Sequence, residues 1–94
     1  MFLKENLKLL RKRRKRSQED VAKSLNLTRS AYNSYENGVA EPGIQILIRL
    51  SEFFQINIDK LLRTDLGRLS ELQLSQLEKG FDLDLTGTRL RVLA

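Results

Sequence analysis

The side chains of this sequence that could do chemistry are hydrogen-bonding and cationic rather than nucleophilic or metal-ligating. Arg29, Ser30, Asn33 and Ser34 fall at i, i+1, i+4 and i+5, so a helix would carry a guanidinium fork, an amide and two hydroxyls on one exposed face. The 94 residues include no His and no Cys. Zinc and haem ligation and the usual nucleophile relays need those residues, so no catalytic residue, metal site or cofactor is expected. Carboxylate chemistry with Mg²⁺ stays formally open, since Asp82 and Asp84 lie two apart. They alternate with apolar residues in a strand pattern beside Arg89 and Arg91, which makes them better cross-strand partners than metal ligands.

The second chemical resource is positive charge, and it is concentrated. Net charge is +5. Residues 1–16 hold Lys4, Lys8, Arg11, Lys12, Arg13, Arg14, Lys15 and Arg16 against Glu5, or +7, which leaves −2 for the remaining 78. Such an asymmetry suits an anionic partner: nucleic acid, an acidic membrane surface or an acidic protein. A basic amphipathic helix lying on a membrane is the weakest of these, because its apolar face would be leucine without Trp. No run approaches the roughly 18 apolar residues of a membrane span, and the first residues lack the pattern of a secretion signal. A cytoplasmic, nucleoid-associated protein with no membrane partner is expected.

These residues must be positioned by short helices. Leu3, Leu7, Leu10 and Arg14 recur at i, i+4, i+7 and i+11, predicting an amphipathic helix over about 2–15. Ser17, with Asp20 three residues on, caps a second helix over about 18–25, whose inner side is Val21, Ala22 and Leu25. Asn26 occupies a sharp turn that calls for a left-handed backbone. Thr28 caps a third helix from Arg29 to Asn37, stopped by Gly38, with Tyr32 and Tyr35 on its inner side. Glu41-Pro42-Gly43 is a loop before a fourth helix over 44–54, whose Ile44, Leu47, Ile48, Leu50, Phe53 and Phe54 are expected to centre the core. A fifth helix covers 58–63. Thr64–Arg68 reads as a connector, Leu69–Lys79 as a sixth helix stopped by Gly80, and the remainder as alternating strand. A two-residue turn at Thr86-Gly87 would set Asp84 opposite Arg89 and Asp82 opposite Arg91.

Two short helices joined by a tight turn, the second with a small polar exposed face, are what a protein needs to lay one helix in the DNA major groove. The stretch from Ser17 to Gly38 resembles the helix-turn-helix of the XRE family, the lambdoid phage repressor and Cro group, and the resemblance covers about residues 3–66. It rests on Gln18 opening the first helix of the pair, Ala22 at the crossing point, Leu25, and the closing Glu36-Asn37-Gly38. Asn26 departs from the family's usual Gly, and Tyr32 from its usual Ile or Val. The implied fold is all-α: a lambda repressor-like five-helix domain over residues 1–66, followed by a C-terminal helix and short β-hairpin over 67–94.

The resemblance implies a sequence-specific regulator of transcription, more readily a repressor, that binds double-stranded DNA as a homodimer on a pseudo-palindromic operator. Arg29, Ser30, Asn33 and Ser34 would face base edges. Ser17, Gln18, Thr28 and Asn37 would meet the sugar-phosphate backbone, joined by Lys12 and Arg16 from the basic helix. Arg11 and Glu36 match a structural ion pair of the lambdoid repressors. Dimer surfaces are expected around Ile56–Leu62 or on the leucine-rich tail. That tail also resembles the linker of longer repressors with a LexA-like peptidase-fold domain, and its apolar end fits a truncated chain. An antitoxin that neutralises a toxin partner and represses its own promoter is the alternative.

Overall fold

The computed structural model describes residues 1–78, 81–83 and 89–91. Helix α1 spans Leu3–Arg13 and buries Leu3, Leu7 and Leu10, the stripe its spacing predicts. Arg11, Lys12 and Arg13 fill its last turn, where cations suit the negative end of the helix dipole. Lys15 then turns the chain at φ 56°. Arg14, the last member of the stripe, lies inward. Its Nη1 donates to the Phe53 carbonyl at 2.7 Å, and its guanidinium carbon sits 5.3 and 5.4 Å from the Phe53 and Phe54 ring centres. One cation thus closes a helix end and stacks on two aromatics.

Helix α2, Gln18–Ser24, opens on a reciprocal cap. Ser17 Oγ accepts from the Asp20 amide at 3.0 Å and the Asp20 carboxylate accepts from the Ser17 amide at 3.1 Å. Asn26 takes the left-handed backbone its position demands, φ 57°. Thr28 caps α3, Arg29–Glu36, by accepting from the Ala31 amide at 3.0 Å. Asn37 is the C-cap and Gly38 carries the positive φ of 72° that ends the element.

Helix α4, Ile44–Phe54, corrects an expectation. Leu50, Ser51 and Phe54 are buried, whereas Ile44 is 74% and Ile48 43% exposed. At 100° per residue Ile48 lies on the opposite side from Leu50, and Ile44 is the first helical residue, so the side through Leu47, Leu50 and Phe54 packs inward, flanked by the partly buried Ile46 and Phe53. Gln55 ends the helix in the left-handed conformation, φ 54°. Asn57 caps α5, Ile58–Arg63, through a 2.7 Å bond from the Lys60 amide.

The presumed connector after α5 proves to be core. A 3-10 turn at Leu66–Arg68 places Leu66 out of contact with solvent. The anchor is Asn6 of α1, whose Nδ2 donates to the Leu61 and Thr64 carbonyls at 2.8 and 2.7 Å while its Oδ1 accepts from the Leu66 amide at 3.2 Å. A buried asparagine among leucines looks like an interruption in a sequence; here three backbone groups, two of them buried, require it.

Helix α6, Glu71–Glu78, begins two residues later than its leucine pattern suggests, because Ser70 and Gln73 exchange capping bonds of 3.2 and 2.9 Å. Its Leu74 and Leu77 join the same core cluster as α1 to α5, while Leu72 faces solvent. Arg13 clamps it with two bonds to Glu71, 2.8 and 3.1 Å. Strands β1, Phe81–Leu83, and β2, Arg89–Arg91, pair antiparallel with Asp82 opposite Leu90 and Leu83 opposite Arg89. The expected pairing of Asp82 with Arg91 is therefore one residue out of register. A cross-strand charge pair contributes well under about 1 kcal/mol, too little to dictate register. Asp84, Thr86, Gly87, Lys79 and Gly80 lie outside the described residues.

Candidate nucleic-acid interface

Helices α2 and α3 meet through Val21, Ala22 and Leu25 on one side and Tyr32 on the other, all buried. With Tyr32 inward and Tyr35 half-buried, the opposite face of α3 must point out. Arg29 and Ser30 are exposed there, and Asn33 and Ser34 half-buried. Asn37, one turn beyond Asn33, is exposed and donates from Nδ2 to Asn33 Oδ1 at 3.1 Å. The Ser34 hydroxyl donates to the Ala31 carbonyl at 2.6 Å. Five side chains of the expected contact set therefore share one helix surface.

What fixes the angle of that surface is a buried carboxylate. Glu36, at the inner end of α3, accepts from Arg11 Nε at 2.7 Å and Nη2 at 3.1 Å, and from Gln18 Nε2 at 3.2 Å. The Glu36 side chain has no exposure and that of Arg11 has 13%. Arg11 also donates to the Arg16 carbonyl at 2.9 Å, so one guanidinium binds α1, the loop after it and α3. Burial works to raise the Glu36 pKa, but the hydrogen bonds from Arg11 and Gln18, with the Tyr32 hydroxyl close by, outweigh it and the net shift is downward. The Arg11 pKa moves up, chiefly through its bond to Glu36. The Tyr32 hydroxyl is enclosed beside this pair, and burial followed by the neighbouring carboxylate pushes its pKa well above the ordinary phenol range. It has no well-formed hydrogen bond of its own.

The expected backbone-contacting residues are differently employed. Ser17 and Thr28 use their oxygens as caps, which leaves each hydroxyl proton to donate outward. Gln18 gives one amide hydrogen to Glu36 and keeps the other. Lys12 and Arg16 are exposed at the end of α1 and at the turn before α2. Sequence reasoning missed Lys4 and Lys8, which with Glu5, Glu36 and Asn37 line one open concavity at the end of α3. The Lys4 stem runs so close to Gly38 that a Cβ there would lie 2.9 Å from Lys4 Cδ. The signal was available: Lys4, Lys8 and Lys12 are spaced i, i+4, i+8, one stripe of α1 alongside the Arg11 that reaches α3. Among the described residues no group of three or more His, Cys, Asp or Glu gathers as a metal site would require.

A helix-turn-helix family model matches residues 7–61, from the middle of α1 to α5, more than half of the chain. The chain belongs to the XRE-type helix-turn-helix family. It is 42% identical over 59 residues to YqaE of Bacillus subtilis (strain 168), an uncharacterized HTH-type transcriptional regulator; that match covers 63% of this chain and 51% of YqaE. It is 36% identical over 62 residues to BcrR of Enterococcus faecalis, an HTH-type transcriptional activator, covering 66% of this chain and 30% of BcrR. A crystal structure of a transcriptional regulator from Listeria innocua superimposes with a TM-score of 0.60 at 26% identity, over 82% of this chain and 86% of that one. The chain thus spans about half of YqaE and under a third of BcrR. The all-α architecture is the one the family expectation requires, and no described helix is long and apolar enough to cross a membrane.

Proposed function

We propose that this protein regulates transcription by reading double-stranded DNA, with α3 in the major groove and Arg29, Ser30, Asn33 and Ser34 toward base edges. The observation that carries the reading is the polar face of α3 held outward by the buried Arg11–Glu36–Gln18 junction, in a chain of helix-turn-helix family. Arg29 is the strongest discriminator, because its fork can donate to guanine N7 and O6 together. Ser17, Gln18, Thr28 and Asn37 contact the phosphates flanking the groove, with Lys12 and Arg16 from the basic segment; Lys4 and Lys8 extend the cationic stripe to the far end of α3. A single copy offers one short reading helix, so the working unit is a homodimer on half-sites about one helical turn apart. The segment after residue 66, whose α6 packs on the core of the DNA-binding domain, supplies subunit contact or linkage. Acting in the cytoplasm, it represses by occupying its operator, with no catalytic step and no cofactor.

Selection of bound sequences from a random duplex pool at near-physiological salt, then titration of the winning site against a scrambled one, tests this. An enriched pseudo-palindrome bound at least about 10³-fold more tightly supports the reading. Equal and steeply salt-dependent binding to both duplexes would overturn it.

A further inference from the structure

Two hydrogen bonds on the reading face constrain what it can read. Asn37 Nδ2 donates to Asn33 Oδ1 at 3.1 Å, and the Ser34 hydroxyl donates to the Ala31 carbonyl at 2.6 Å. An asparagine pairs bidentately with adenine by donating to N7 and accepting from the N6 amino group, which requires both ends of its amide. The oxygen of Asn33 is turned along the helix toward Asn37, so its outward group is Nδ2 with donors alone. Ser34 is the reverse. Its proton is committed to the backbone one turn back, and what remains for a ligand is the oxygen lone pair. Arg29, exposed at the start of the helix, has donors and no acceptor.

We propose that Asn37 is a positioning residue for Asn33 and that α3 carries a preset polarity, donors at Arg29 and Asn33 and an acceptor at Ser34. The base edge under Asn33 is then one that presents acceptors without a neighbouring amino group, guanine N7 and O6 or thymine O4; adenine N7 also accepts, but its N6 amino group would face a donor and is disfavoured. The base under Ser34 carries an exocyclic amino group, adenine or cytosine. This rests on the DNA-reading function proposed above and specifies the half-site it recognises. Asn37 keeps its second amide hydrogen for a phosphate, so positioning and backbone contact are compatible.

The test is the random-duplex selection repeated with wild type, Asn33→Ala, Ser34→Ala, Asn37→Asp and Asn37→Ala, each checked for native helix content by circular dichroism. Asn33→Ala and Ser34→Ala identify the positions that lose their preference. The wild type is expected to favour guanine or thymine at the Asn33 position and adenine or cytosine at the Ser34 position. The carboxylate in Asn37→Asp can only accept, so it draws Asn33 Nδ2 inward and turns Oδ1 out. Preference at the Asn33 position then moves to adenine or cytosine by about tenfold or more, with weaker binding overall from the added charge. If that charge abolishes binding, Asn37→Ala decides, because freeing Asn33 admits adenine at the same position. Adenine or cytosine there in the wild type, or unchanged preference in every Asn37 variant that binds, would overturn the proposal. So would guanine or thymine at the Ser34 position, or an enriched site in which no position responds to Asn33→Ala. If the wild type selects no site at all, the DNA-reading function itself fails.

Discussion

At the scale of single residues, the surface of α3 and the stripe of α1 should be separable by the kind of loss they produce. Arg29→Ala is expected to relax preference at one base position and cost about 1–3 kcal/mol on the selected site, with little change on scrambled DNA. A uniform loss on all duplexes would instead make Arg29 a phosphate contact. Lys8→Ala and Lys12→Ala should weaken every duplex alike, each lowering the slope of log affinity against log salt by about one. A slope unchanged by Lys8→Ala would place the far end of the stripe outside the interface. The polar face was legible in the sequence, because i, i+1, i+4, i+5 spacing is helical arithmetic. The bonds within it were not, since a side chain's choice between neighbour, backbone and solvent depends on rotamers that spacing does not encode.

At the scale of elements, the Arg11–Glu36–Gln18 junction determines whether the reading helix keeps its angle. Glu36→Gln leaves Arg11 without a charged partner in a mostly enclosed site and is expected to destabilise the domain by about 3–5 kcal/mol in urea unfolding. Glu36 titrates below the ordinary carboxylate range in the folded chain, so the unfolded chain binds its proton first as pH falls. The stability it contributes is therefore present above the ordinary carboxylate pKa of the unfolded chain and drains away as pH falls through the lower folded value. Unfolding midpoints between pH 7 and 3 should show that loss in the wild type and a flatter curve in Glu36→Gln; parallel curves would assign acid sensitivity to other groups. Asn26→Ala tests the turn between α2 and α3: with φ 57° it should cost about 1 kcal/mol, while Asn26→Gly should be near neutral. Helix boundaries here were readable because caps announce themselves: Ser17, Thr28 and Gly38 are local signals. Ile44 and Ile48 misled because a helix nearly apolar all round does not show which side its neighbours will cover.

At the scale of the whole molecule, the fold does not close at the end of α5. Leu66, Leu74 and Leu77 complete the core, and Asn6 and Arg13 fasten that later segment to the first helix. Asn6→Ala removes partners from two carbonyls and an amide, and unfolding should become easier by about 2–5 kcal/mol, with the Leu66 amide among the most accelerated in hydrogen exchange. Slow exchange at Leu66 in that variant would show that packing alone holds the turn. None of this was legible in the sequence, because Asn6 and Leu66 are 60 positions apart and neither belongs to a recognisable motif. The expected connector was a reasonable reading of Thr64–Arg68 taken by itself. The Arg13–Glu71 clamp, with Glu71 largely exposed, adds orientation more than stability.

Asn6 also bears on synthesis. A chain leaving the ribosome presents α1 first, yet the amide that Asn6 must accept from is made 60 residues later. Until Leu66 has cleared the exit tunnel, α1 to α4 exist with a polar side chain and an unfilled cleft where the core should be. The reading helix is therefore present in the nascent chain well before the body that aims it can lock, and a ribosome stalled with α1 to α4 emerged and Leu66 still inside the exit tunnel should display a loose, protease-sensitive domain.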